Sequence, residues 1–152
     1  MQYWLMKSEP DEFGIDALRA APDRTASWDG VRNYQVRNMI RDEMRAGDLA
    51  FFYHSSCAEP GIAGTMTIRG AAKPDPSAFD PKSHYYDAGS KPDAPRWYSI
   101  DVRFRSKFKR VIGLDELRDH APLAAMFVLR RGNRLSITPV TAAEWKFINE
   151  LT

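Results

Sequence analysis

At 152 residues the chain has the length of one domain and can bury a core without disulfide or metal staples. Its 43% hydrophobic and 12% aromatic content argues against disorder, and no apolar run approaches the ~18 residues of a membrane span. The 22 cations and 20 anions leave a formal charge of only +2, too small to announce a nucleic-acid binder; the cations are mostly arginine, which suits phosphate forks and base stacking but also follows from a GC-rich genome.

Gln2 to Lys7 is apolar and aromatic and reads as a buried first strand. Ser8-Glu9-Pro10-Asp11 stops it, since proline cannot donate into a ladder. The N-terminus lacks the basic region and long apolar run of a signal peptide, and the lone Cys57 excludes an internal disulfide, so a cytoplasmic setting is expected. Ile15 to Arg19 reads as a short helix ending before Pro22, and Ser27-Trp28-Asp29-Gly30 as a turn. Val36, Met39, Ile40 and Met44 recur at helical spacing, with Gly47 as a stop. Leu49 to His54 is the strongest strand pattern, and Ile62 to Ile68 is a second. Pro74 to Pro95, rich in Pro, Asp, Ser and Gly, is one long loop in which Tyr85-Tyr86 argues against plain disorder.

Trp97 to Arg110 alternates. Tyr98, Ile100, Val102, Phe104 and Phe108 are expected on one face, and Asp101, Arg103, Arg105, Lys107 and Lys109 on the other. Leu114 to His120 reads as a helix, and Leu135-Ser136-Ile137 as a short strand before Pro139. Thr141 and Glu144 are spaced as a capping box, with Val140 and Trp145 as its staple, opening a last helix. Helices near both ends and strands in the middle predict a single α+β domain over 1–152.

No phosphate loop, dinucleotide fingerprint, nucleophile elbow or zincin motif occurs. His54 and Cys57 stand three apart but lack further ligands, so neither a metal site nor a cofactor site is expected. Glu9, Asp11 and Glu12 form a solvated acidic turn more readily than an acid–base pair. Ser27 to Tyr34 is more unusual, because it sets Trp28 among hydrogen-bonding groups on a turn entering a helix. A flat aromatic face beside donors and acceptors is what a flipped base requires; equally, the Trp could simply seal the core. Arg37, Arg41 and Arg45 at i, i+4, i+8, and the row from Arg103 to Lys109, suit a phosphate-tracking surface or a solvated face.

Taken in order, several segments resemble the EVE domain: Tyr3 to Pro10, Trp28-Asp29-Gly30-Val31-Arg32-Asn33-Tyr34-Gln35, Phe51-Phe52-Tyr53-His54-Ser55, Glu59 to Gly64, His84-Tyr85-Tyr86-Asp87, Asp101-Val102 and Leu135-Ser136-Ile137. The resemblance implies a PUA-like fold, a bent β-barrel of five to six strands with flanking helices. It implies a reader of a modified base, such as a methylated cytosine, in DNA or RNA, acting without chemistry. Related YTH readers end their first strand on Lys-Ser and place a Trp after the first helix, matched here by Lys7-Ser8 and Trp28, whereas their later cage Trp has no counterpart. The base pocket is then expected from Ser8, Trp28, Asn33, Tyr53, His54, Tyr85 and Tyr86. Arg32, Arg37, Arg41, Arg103 and Arg105 are expected on phosphates. An enzyme acting on a modified base and a protein-interaction module with Trp28 in its core are the rival readings.

Overall fold

In the computed structural model, which describes residues 1–152, six strands form one mixed sheet. They are β1 Tyr3–Ser8, β2 Thr25–Trp28, β3 Leu49–His54, β4 Gly61–Pro74, β5 Tyr98–Gly113 and β6 Ile137–Val140. Their order is β2-β5-β4-β3-β1-β6, with β1 and β3 parallel and every other pair antiparallel. The helices are α1 Pro10–Phe13, α2 Ile15–Ala20, α3 Tyr34–Asn38, α4 Leu114–Arg118 and α5 Ala142–Glu150; α3 runs on as a π turn over Met39–Glu43. None is long and apolar enough to cross a membrane.

The near-continuous apolar character of β1 and β3 has a physical cause, since both faces of the sheet are covered. Trp4, Met6 and Phe52 enter one core with Ile15 and Leu18 of α2 and Val36 of α3. Leu5, Phe51 and Tyr53, offset by one residue, enter the other with Leu117 of α4 and Trp145 and Ile148 of α5. Each fully buried Leu, Ile or Phe contributes roughly 1.5–3 kcal/mol relative to exposure. The capping box at Thr141 and Glu144 forms with both hydrogen bonds, and Val140 and Trp145 share the second core.

The α+β class matches the expectation, but the sheet is open where a barrel was expected. Strands β2 and β6 are its two edges and do not pair. Each has only four residues, and Pro139 in β6 has no N–H to offer a further strand.

The alternation expected along Trp97–Arg110 also breaks midway. Thr65 pairs with Ser106 while Met66 pairs with Phe104, so Arg105 is an extra residue on β5. A one-residue bulge reverses which face follows. Ile100 and Val102 therefore point into the first core, whereas Phe108 and Ile112 point into the second. The cationic row divides with them. Arg105 lies near the Trp145 ring, whereas Lys107 bonds to Asp16 of α2 at 2.8 Å.

Candidate nucleic-acid interface

The C-terminal ends of β1 and β2 border a cleft of about 580 Å³. Lys7 and Ser8 come from β1, and Arg134 and Ser136 from the segment entering β6. The two are joined by the Lys7 N–H donating to the Ser136 carbonyl at 2.8 Å. Glu9, then Glu12 and Phe13 of α1, Ser27 and Trp28 at the end of β2, Asp29 to Arg32 after it, Ser55, and His84 and Tyr85 of the long loop complete the walls. Trp28 is only 7% exposed, and its ring meets Phe52 edge-on at 5.3 Å. It is thus held in the core and presents a narrow strip to the cleft.

Arg32 and Asp75 fasten the long loop over this cleft. The Asp75 side chain is fully inaccessible and accepts from the Gly30 N–H at 2.9 Å, Arg32 Nη1 at 3.0 Å, the Ser77 N–H at 2.8 Å and the Ser77 hydroxyl at 2.6 Å. Burial opposes its ionisation, but the bonds from Ser77, Gly30 and Arg32 prevail and hold the carboxyl below its ordinary range. Arg32 also donates to the Tyr85 carbonyl, and its guanidinium lies 5.5 Å from the Tyr85 ring and 5.4 Å from the Trp97 ring. Every branch of that side chain is engaged inside the protein.

Gly30 permits this arrangement. It sits at φ +75, and a Cβ there would fall 2.7 Å from Tyr85 Cζ. Tyr85 can therefore lie across the backbone and donate its hydroxyl to Glu12 at 3.2 Å, spanning the cleft from loop to α1.

The cleft carries both charges. Desolvation lowers the Lys7 pKa, and its Nζ stands 5.7 Å over the Tyr53 ring. Asp29 is raised, first by partial desolvation and then by the neighbouring Asp75 charge. The Ser8 hydroxyl donates to the Phe13 carbonyl at 2.7 Å, so its proton is committed while its oxygen can still accept.

Of the expected pocket residues, Ser8, Trp28 and Tyr85 line the cleft, and Asn33, Tyr53, His54 and Tyr86 do not. Asn33 caps α3, accepting from the Val36 N–H at 3.1 Å. Tyr53 is packed in the second core. The His54 Nε2 accepts from the Ile15 N–H at 3.1 Å, which ties β3 to α2 and requires the neutral ring. Tyr86 faces solvent.

Among the expected phosphate ligands only Arg32 reaches the cleft, where it is spent on Asp75 and Tyr85. Arg37 donates to the Arg96 carbonyl, Arg41 pairs with Asp42, and Arg103 pairs with Asp23. Arg105 donates to the hydroxyl of the buried Thr65 on β4 at 3.3 Å. Lys7, Phe13, Asp29, Arg134 and Ser136 were not anticipated as site residues. Only the strand-end position of Lys7 and the Trp-Asp-Gly context of Asp29 carried a local signal.

The sequence profile of the EVE domain matches residues 2–151. The chain belongs to the EVE domain family. Among curated relatives, thymocyte nuclear protein 1 of Danio rerio is 47% identical over 97% of this chain and 71% of its own length. The Homo sapiens protein of that name is 45% identical over 98% and 73%. Among solved structures, a Pseudomonas syringae protein is 50% identical, with a TM-score of 0.93 over 98% of both chains. The human THYN1 protein in complex with 5-methylcytosine containing DNA is 45% identical, with a TM-score of 0.93 over 99% of this chain and 97% of that one. This EVE domain thus shares its fold with a relative that has been seen on methylated DNA.

Proposed function

We propose that this EVE domain reads a modified base in nucleic acid, with 5-methylcytosine in DNA as the favoured ligand, by holding the base extruded in the cleft. The observation that carries the reading is the cleft itself. It is about 580 Å³, within the range of small-ligand sites, and joins an aromatic edge to three carboxylates, Glu9, Glu12 and Asp29, and three cations, Lys7, Arg32 and Arg134, of which Arg32 is engaged by Asp75. The Asp29 carboxylate suits the exocyclic amine of cytosine, which is a donor. Phe13 and the exposed strip of Trp28 offer apolar surface to the base and its methyl. The complex of the human relative with 5-methylcytosine containing DNA supports the same base and DNA as its carrier.

Recognition without chemistry fits the polar groups present. The Ser8 proton is given to a backbone carbonyl, and His54 is used in the fold.

Competition binding tests the reading with matched duplexes carrying cytosine or 5-methylcytosine at one position, and with RNA of the same sequence. Burying one methyl is worth about 0.8 kcal/mol, roughly four-fold in affinity. A preference of that order or more for the methylated DNA is expected. Equal affinity for both duplexes would overturn the reading, and tighter binding to the RNA would reassign the polymer.

A further inference from the structure

The segment from Phe127 to Arg134 leads directly into the cleft and has charge to spare. A 3-10 turn over Phe127–Leu129 is followed by Arg130, Arg131, Gly132, Asn133 and Arg134. Asn133 braces the segment, since its side-chain amide donates to the Phe127 carbonyl at 2.9 Å and its oxygen accepts from the Leu135 N–H at 3.1 Å. Gly132 makes the reversal at φ +78. The three guanidiniums are exposed, and none takes part in the ion pairs of the molecule. No Asp or Glu occurs in the sequence between Asp119 and Glu144, and the cleft carboxylates Glu9, Glu12 and Asp29 form no ion pair with Arg134. Arg134 lines the cleft. Phe127 is 37% exposed, one of the few large apolar side chains left in solvent, and the Arg130 guanidinium covers its ring at 3.8 Å.

This combination differs from a merely soluble surface. The cations at Arg37, Arg41 and Arg103 are bonded to groups of the protein itself, so a ligand phosphate would have to compete for them. Those at Arg131 and Arg134 are free, and one of them borders the cleft. An exposed aromatic capped by arginine on a braced turn presents a flat apolar edge without a mobile loop to order. Such an edge can enter a base step that has been unstacked.

We propose that the Phe127–Arg134 segment is the duplex-engaging element beside the cleft, with Arg131 and Arg134 on backbone phosphates and Phe127 packed into the gap that an extruded base leaves. The inference rests on the reading of the cleft as a base site and adds the partner's form, a paired duplex rather than a single strand. The phosphate contacts are blind to methylation, because phosphate positions carry no base information.

The test uses the full chain and three probes of one sequence: a duplex with a single 5-methylcytosine, the unmethylated duplex, and the methylated single strand, each over a salt series. For Arg131→Ala/Arg134→Ala, affinity for both duplexes is expected to fall by a common factor. The slope of log K against log salt should fall by about 1.8, near 0.9 per lost phosphate contact. For Phe127→Ala, duplex binding is expected to weaken at least several-fold while single-strand binding holds, since a single strand leaves no gap to fill. Thermal melts confirm that each variant is folded.

Unchanged duplex affinity and salt slope in the double variant would overturn the phosphate role. Equal loss on duplex and single strand in Phe127→Ala would overturn the gap-filling role. Failure of the base-site reading looks different, because the wild-type protein then shows no methyl preference while the arginine variants still lower DNA affinity.

Discussion

Replacing Asp75 by Asn probes the device that holds the long loop over the cleft. The wild-type carboxylate accepts four hydrogen bonds on two oxygens, one oxygen serving Gly30 and Arg32 and the other serving the Ser77 N–H and hydroxyl. An amide keeps one accepting oxygen and turns an NH₂ toward the remaining pair of donors, whichever way it is rotated. A buried donor left unmet costs about 1–3 kcal/mol. Breaking a buried ion pair costs about 3–5 kcal/mol, and the 23% exposure of the Arg32 side chain relieves part of that. A loss of about 3 kcal/mol is expected, equivalent to a melting-temperature drop of roughly 6–12 °C for a domain of this length. Urea unfolding followed by tryptophan fluorescence measures it. The pH dependence is a second reading. The folded-state pKa of Asp75 lies below its unfolded value, so its stabilisation is complete above about pH 4 and is lost as pH falls through the folded value. The gap between wild type and variant should therefore close in strong acid. A cost under about 1 kcal/mol, or a gap that persists undiminished at about pH 2, would refute the reasoning.

Three other perturbations follow from the same geometry. Trp28→Ala is expected to cost about 3–5 kcal/mol, as Trp4→Ala does, because both rings are in the core; Trp28→Phe should fold and lose methyl preference, and a folded Trp28→Phe with full preference would remove Trp28 from the reader site. His54 is depressed by burial, with Asp16 opposing and Lys107 adding, so its contribution is complete above about pH 6.5 and is lost as pH falls through the lower folded value. Wild-type urea midpoints should fall over that window, and those of His54→Gln, which keeps an acceptor for Ile15, should fall less. Gly30→Ala places a methyl against Tyr85 at a positive φ, costing about 1–3 kcal/mol in backbone strain; DNA affinity should drop with it, and a variant that melts and binds like wild type would show that Tyr85 has room to spare.

The sequence was most informative where one local rule sufficed. The five apolar residues of Leu49–Tyr53, the Thr141–Glu144 box and the helical spacing of Val36 and Ile40 each announce an element, and each forms. The bulge at Arg105 was not legible, because the extra residue is defined by the partner strand and leaves no mark on β5 alone. Ser27 and Trp28, expected in a turn, instead end β2, because its residues gain strand geometry only from pairing with β5. At the site, Trp28 and Tyr85 stood out by type and context. Asn33 and His54 lie outside the cleft on backbone N–H groups, and sequence could not show this because a polar side chain that ends a strand or opens a helix looks the same whether it serves a ligand or a backbone N–H. Asp75 was hidden in the Pro-rich loop, since only the fold brings it to Gly30 and Arg32, more than forty positions away.

The position of β1 bears on how the chain matures. It lies between β3, which it meets in parallel, and β6, the last strand to be synthesised. A growing chain therefore holds an apolar strand with one edge open until residues near Ser136 leave the ribosome, and such an edge invites pairing with other chains. The cleft has the same schedule, because Lys7 and Ser136 become neighbours only at the end. A fragment ending before Ser136 is expected to aggregate through β1 rather than to bind DNA weakly, which makes recognition a property of the finished chain.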